Sequence, residues 1–288
     1  MNTALPGLFS RENLFAWCVA SHDAANRSPQ SRSSMLWKLG FTTYAWGNRA
    51  AGADFLPQFE EEMDAIEGRK IRLIARWVPA QFEKNEMKLI LDALDRRELK
   101  PELWISGWDS PSNSTVDRLG EEISRISPFA RAAKERGMRL ALYNHDGWFG
   151  SPYNRLLLLE RLRDLGHENV GIVQNLHWGH DYLDQFEEIL GLLKPHLTAL
   201  VLNGTERPPI NEKNRILPIG AGSEDMRIIK IIAESGWSGP VGIMNHADVD
   251  AESRLLDNLE GLAWLVDSMN GVHNPPVAFR TWQRPVAS

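Results

Sequence analysis

Cysteine is nearly absent from this chain. Cys18 is the only one, which excludes an intrachain disulfide framework and points to a reducing compartment, with the cytoplasm as the expected location. Long hydrophobic runs are missing too: no apolar stretch approaches the roughly 20 residues that a membrane helix requires. The first residues, MNTALPGLFSREN, lack a basic stretch followed by an apolar one, so no secretory leader is read there. Positive charge is in deficit, with 32 Lys and Arg against 38 Asp and Glu and a formal net charge of −6. Without a local basic patch there is no general attraction to phosphate backbones or anionic lipid, and neither nucleic acid nor a membrane is an expected partner. Internal repeats and low-complexity segments do not occur.

What is abundant is apolar sequence in two alternating patterns. Hydrophobic residues fill 43% of the 288 positions, and one barrel of roughly 250 residues would use nearly all of the chain. Short apolar runs that suit strands lie at 14–20, 41–46, 70–77, 102–106, 138–143, 169–174, 197–202 and 240–244. Between them, apolar residues at three- and four-residue spacing predict helices near 29–39, 54–67, 85–96, 115–136, 153–165, 182–194, 224–235 and 251–269. Gly40, Gly137, Gly166 and Gly236 each close a helical pattern ahead of a strand, as helix-terminating glycines do. Strict alternation of eight such pairs predicts an α/β fold, a single (β/α)8 TIM barrel over about 12–269. An open doubly wound sheet, usually with fewer strands, is the competing architecture. All 288 residues then form one domain, with an irregular C-terminal tail at 270–288 that wraps the outside or mediates association, a homo-oligomer being one outcome. The longest irregular stretch, 203–223, carries Pro208, Pro209 and Pro218 and is long enough to be a loop over a pocket.

The strands end on one kind of chemistry. Asn144-His145 follows MRLALY, Asn175-Leu176-His177 follows VGIVQ, Asn203-Gly204 follows LTALVL, and Asn245-His246 follows PVGIM. A (β/α)8 barrel collects its site at the carboxyl ends of its strands, so these groups are expected to share one polar pocket. His145, His177 and His246 have three open roles there. They can act as acid and base near neutral pH, ligate Zn²⁺ or another late transition metal, or stand as satisfied polar groups at the barrel mouth. Asn144, Asn175 and Asn203 are expected to orient substrate hydroxyls, and His180 to cap or line the start of the sixth helix. Of eleven tryptophans, Trp46, Trp77, Trp104, Trp148 and Trp178 fall near strand ends, where rings stack on the apolar faces of sugars; core packing is the alternative for each. Arg49 and Asp146, with Asp23, Arg27 and Arg76, are the nearest charged candidates for substrate contact, weighed against structural ion pairs. In LPIGAGSED, Gly220 and Gly222 offer backbone N–H groups, but Glu224 and Asp225 oppose an anion. That segment reads as a turn with helix capping, and the substrate as non-phosphorylated.

Taken in order, MRLALYNHDGW, NVGIVQNLHWGH, LTALVLNG followed by LPIGAGSED, and SGWSGPVGIMNH resemble the xylose isomerase-like TIM-barrel superfamily from about Glu12 to Val266. This is the sugar isomerase and epimerase group, which also includes endonuclease-type members. The resemblance implies a barrel that acts on a carbohydrate. It also implies a divalent ion held by Glu, Asp, His and Glu at the ends of strands five to eight. Here Asn144 falls near the first Glu, Asn175 at the Asp, Asn203 near the His, and Asn245 or His246 at the last Glu. Neutral amides do not offset dehydration of Mg²⁺ or Mn²⁺, and the paired carboxylates that move protons are lost with them. No cofactor is certain from the sequence; a divalent transition metal, if held, falls to His145, His177 and His246. Two functions remain open. One is an isomerase- or epimerase-like enzyme, or a β-eliminating lyase, that moves a proton next to the carbonyl of a non-phosphorylated sugar or keto-sugar. The other is a catalytically degenerate barrel that binds a sugar or serves as a partner subunit. Endonuclease-type repair needs a zinc cluster rich in His, Glu and Asp, which these substitutions remove.

Overall fold

The computed structural model describes residues 5–47, 54–78, 84–107, 115–145, 147–207 and 216–283. Eight parallel strands close into a barrel in chain order: β1 (Leu14–Trp17), β2 (Thr43–Trp46), β3 (Arg72–Val78), β4 (Glu102–Ser106), β5 (Leu140–Tyr143), β6 (Val170–Asn175), β7 (Leu197–Leu202) and β8 (Val241–Met244). Pairing of Leu14 with Val241 through Trp17 with Met244 seals the ring. The barrel helices follow their strands as α1 (Pro29–Lys38), α2 (Phe55–Glu67), α3 (Lys84–Arg96), α4 (Thr115–Glu135), α5 (Pro152–Asp164), α6 (Phe186–Leu193), α7 (Asp225–Glu234) and α8 (Ala251–Met269). Among the described residues no helix is long and apolar enough to cross a membrane.

These elements follow the two periodicities closely, and the departures have local causes. Strand β1 stops at Trp17, short of the apolar run to residue 20, because Cys18 takes φ 58° and turns the chain off the sheet. Helix α6 starts after the pattern does, since His180–Gln185 wind as a 3-10 helix first. Gly40, Gly137, Gly166 and Gly236 hold φ of 81°, 69°, 86° and 75°, the left-handed turn that ends a helix before the next strand.

Alternation along the strands divides the core into two layers. Leu14, Ala16, Tyr44, Trp46, Ile105 and Leu142 face outward and pack under the helices. Phe15, Trp17, Trp104 and Tyr143 fill the barrel, and Ala45, Ala75, Ala141 and Ala199 leave room for those rings. Trp104 stacks on Tyr143 with centroids 5.6 Å apart and planes 20° apart, while Trp17 stands edge-on to both at 5.3 and 6.0 Å. Below them Glu102 accepts from Trp104 Nε1 and Thr198 Oγ1 at 2.8 Å each, and burial pushes its carboxyl pKa up. The aromatic plug fills the interior and leaves the carboxyl end of the strands for a pocket.

Two long-range ties complete the frame. After β7 the chain leaves and returns through an antiparallel bridge between Gly204 and Leu217; the excursion over 208–215 lies outside the described residues, but Ile216 rests on the interior aromatic cluster. The tail wraps the outside of α8: Asp257, 0% exposed, accepts from the backbone N–H of Arg280 (2.9 Å) and Thr281 (2.8 Å) and from Thr281 Oγ1 (2.7 Å).

Candidate active site

At the carboxyl end of the strands a cavity open to solvent is lined by Trp17, Cys18, Ser21, His22, Gly47, Trp77, Tyr143, His145, Asn175, Trp178 and His246. Its described wall holds three imidazoles, three indoles, a phenol and an amide, and no Asp, Glu, Lys or Arg. The imidazoles form part of an arc of rings. His22 meets His246 at 3.9 Å between centroids, His246 meets His177 at 5.0 Å, and His177 and His145 each lie 4.3 Å from the Trp178 ring.

Each segment of that arc is held by backbone bonds. The loop after β1 is zipped to the loop after β8: Asn245 N–H donates to Trp17 O at 2.9 Å, Asn245 Nδ2 donates to His22 O, and Ala24 N–H donates to Val249 O at 3.0 Å. Asp23 accepts from Ala251 N–H at 3.2 Å and pairs with Arg27, which also reaches Asp250 and Glu252 at 2.7 and 3.2 Å. This places His22 against His246. On the far side Asn144 bridges β5 to β6, its Oδ1 accepting from Asn175 N–H at 2.6 Å and its Nδ2 donating to Asn175 O at 2.8 Å. Asn175 in turn accepts from His177 N–H at 3.0 Å and donates through Nδ2 to Tyr143 Oη at 2.6 Å.

Of the residues singled out by sequence, His145, His246, Asn175, Trp77 and Trp178 line the cavity. The others are placed elsewhere. His177 is buried behind His246 and Trp178. Asn144 is used up as the β5–β6 bridge, and Asn203 is buried with its Nδ2 on Gly204 O at 2.9 Å, so neither presents its amide to the cavity wall. His180 is buried at the start of its 3-10 helix. Trp46 faces outward against Phe55 and Phe59 of α2, Trp104 lies in the plug, and Trp148 packs in the helix layer. Arg49 and Asp146 lie outside the described residues. Asp23 and Arg27 serve the zipper.

Four wall residues of chemical interest went unread as site residues: Trp17, Cys18, His22 and Tyr143. Trp17 and Tyr143 are legible in principle, because each is the last residue of a strand whose alternation points it inward. His22 has no local signal, since it is a loop residue brought in by contacts far away in sequence.

The metal reading can be tested on the donors. Among the described residues no group of three or more His, Cys, Asp or Glu is arranged to hold a metal ion. Asn144, Asn203 and Asn245 direct their Nδ2 groups to backbone carbonyls, and the described wall offers no carboxylate. His145 and His177 both pack on the Trp178 ring, so the expected set of His145, His177 and His246 is not assembled as ligands. The described residues do not fit the ion that the fold family implies.

No protein of curated function matches this sequence. Solved structures share its fold at low identity. A xylose isomerase domain protein from Alicyclobacillus acidocaldarius superposes with a TM-score of 0.66 at 18% identity, covering 89% of this chain and 99% of its own. The 3-keto-D-glucoside 4-epimerase of E. coli gives 0.63 at 14%, covering 88% and 98%. A xylose isomerase-like TIM barrel protein from Mycobacterium smegmatis in complex with magnesium gives 0.61 at 12%, covering 89% and 96%. A family model described as xylose isomerase-like TIM barrel matches residues 81–267, more than half of the chain, and the chain belongs to that family.

Proposed function

We propose that this barrel moves a proton next to the carbonyl of a non-phosphorylated keto-sugar, as an isomerase, an epimerase or a β-eliminating lyase. The observation that carries the reading is the cavity wall: imidazoles of His22, His145 and His246 facing indoles of Trp17, Trp77 and Trp178, with no charged side chain in the described wall. Indoles cover the apolar face of a sugar ring and imidazoles exchange protons near neutral pH. A neutral imidazole, His246 foremost, takes the proton from the carbon beside the carbonyl; the C–H pair becomes the carbon–carbon π bond of an enolate as the carbonyl π pair moves onto oxygen. A proton then returns to the same carbon, or to the former carbonyl carbon once a proton has passed between the two oxygens of the enediolate, or the β-substituent departs with its bonding pair. His177, in ring contact with His246, and Asn175 set the geometry. No step is routed through a metal ion, because the donors do not fit one.

The test is deuterium wash-in by NMR, with a 3-keto-D-glucoside and D-tagatose as probes in D₂O. The wild type is expected to exchange a C–H beside the carbonyl, and His246→Gln to lose on the order of 10²-fold or more of that rate. Prior chelation leaves the rate unchanged on this reading; loss by chelation with recovery on adding Zn²⁺ overturns the metal-free route. Sugar binding without any exchange turns the assignment to the degenerate sugar-binding barrel, for which the loss of carboxylates at the strand ends speaks.

A further inference from the structure

We propose that Tyr143 is the electrophile of this site, donating its phenol hydrogen to the carbonyl oxygen of the bound keto-sugar and holding the charge that gathers there when carbon is deprotonated. The proposal rests on the keto-sugar reading above and adds a residue to it. The lone pairs of the phenol oxygen decide where its hydrogen goes. Asn175 Oδ1 accepts from the His177 backbone N–H at 3.0 Å, which fixes that amide and turns its Nδ2 toward Tyr143 Oη at 2.6 Å. Trp17 Nε1, which can only donate, points at the same oxygen at 2.9 Å. A phenol oxygen has two acceptor lone pairs and one hydrogen, and here both pairs are taken. The hydrogen is therefore left to be given away, and among the described residues it has no acceptor.

The surroundings aim that hydrogen at a ligand. Tyr143 lines the cavity yet is only 3% exposed, so bulk water does not compete freely for it. Its ring cannot swing away, being stacked on Trp104 and held edge-on by Trp17. Two N–H groups donating into the oxygen make the O–H a stronger donor by polarisation. Burial pushes the phenol pKa well above its ordinary value, so it keeps its proton throughout the range in which an imidazole is neutral and basic.

In the reaction, an imidazole nitrogen takes the proton from carbon, the C–H pair forms the new carbon–carbon bond, and the carbonyl π pair moves onto oxygen. The phenol hydrogen bond meets that growing charge and relaxes when the proton returns, so Tyr143 ends as it began. In barrels that hold a divalent ion the cation polarises the oxygen. Here a preorganised neutral donor takes that position.

The test uses a 3-keto-D-glucoside labelled with ¹³C at the carbonyl, bound to the whole protein and read by infrared difference spectroscopy, with deuterium wash-in followed in the same samples. Wild type is expected to lower the bound carbonyl stretch relative to the free ketone. Tyr143→Phe, which keeps the stacked ring, is expected to return it toward the free value and to cut exchange by about 10²- to 10³-fold with little change in KM. Trp17→Phe removes a donor into the oxygen but leaves the phenol hydrogen, and is expected to keep most of the stretch shift; a merely structural Tyr143 would make the two variants alike. An identical stretch in wild type and Tyr143→Phe overturns the proposal whatever the exchange does. A shifted stretch without exchange leaves the Tyr143 contact standing and sinks the proton-transfer reading, and failure of the ketone to bind sinks both. If Tyr143→Phe does not fold, 3-fluorotyrosine at position 143 supplies a more acidic phenol; a further lowering of the stretch is expected, and no change overturns the assignment.

Discussion

Arg76 carries its charge where no counter-ion reaches it among the described residues. Its side chain is 0% exposed, Nη1 donates to Trp77 O, the guanidinium lies 4.7 Å from the Trp46 ring and 5.4 Å from Phe55, and neither Nε nor Nη2 has a partner among the described residues. Cation–π attraction offsets part of the desolvation, but burial still pushes the pKa down to about 9. The unfolded chain holds that proton to the ordinary arginine range, while the folded one releases it near 9, so the cost is full at neutral pH and is relieved as pH rises through 9. Arg76→Met is expected to raise unfolding free energy at pH 7 by about 1–3 kcal/mol, a gain that shrinks above pH 9. Urea unfolding at both pH values checks it, and a loss at pH 7 would show that the guanidinium is net stabilising. The same position shows what is hard to read at this scale. Trp46 and Trp17 are each the last residue of a strand, yet one faces the helices beside Arg76 and the other faces the cavity, because a one-residue difference in register reverses a side chain. Apolar composition marks both as buried and distinguishes neither.

Elements were legible where their cause is local. Strand alternation, helical spacing and four left-handed glycines are short-range facts, and together they set the order, number and approximate limits of all eight βα units. Loops were not, because distant bonds shape them: His22 reaches His246 through the zipper between the loops after β1 and β8, and Asn144 and Asn245, at the ends of β5 and β8, spend their amides on backbone groups of neighbouring segments. Asn245 tests that role. Its backbone N–H extends the β1–β8 ladder, and its side-chain Nδ2 holds His22 O. Asn245→Ala keeps the first bond and removes the second, leaving a part-buried carbonyl without its donor, at a cost of about 1 kcal/mol. Amide hydrogen exchange is expected to quicken over residues 18–27 while β8 stays protected, with a fall in substrate deuterium wash-in as His22 drifts from His246. Uniform loss of protection across the barrel would show instead that the amide serves the whole fold.

For the molecule as a whole, net charge and site chemistry point to the same selectivity. The chain carries −6, its cavity has no Lys or Arg in the described wall, and a cradle of backbone donors after β7 is already filled. Asp225 accepts there from the N–H groups of Thr205, Gly220 and Gly222 at 2.6, 2.7 and 3.0 Å, even though burial pushes its carboxyl up to about 7. A bridging phosphate would have to expel that carboxyl, and the neck leaves no slack: a Cβ on Gly222 would stand 2.1 Å from Thr205 O. A sugar phosphate therefore meets a negative molecule with no counter-charge in the described wall. D-tagatose 6-phosphate is expected to bind at least about 100-fold more weakly than D-tagatose, a difference of about 2.8 kcal/mol, as read by calorimetry. Screening shortens the reach of exposed charge, to about 8 Å at physiological salt, so the penalty on the phosphate should shrink as salt is added while the neutral sugar binds unchanged. Equal or tighter binding of the phosphate at low salt would mean that a cation reaches the mouth from a loop beyond the described wall. Arg49, whose segment follows β2 and Gly47, would then be the first residue to substitute.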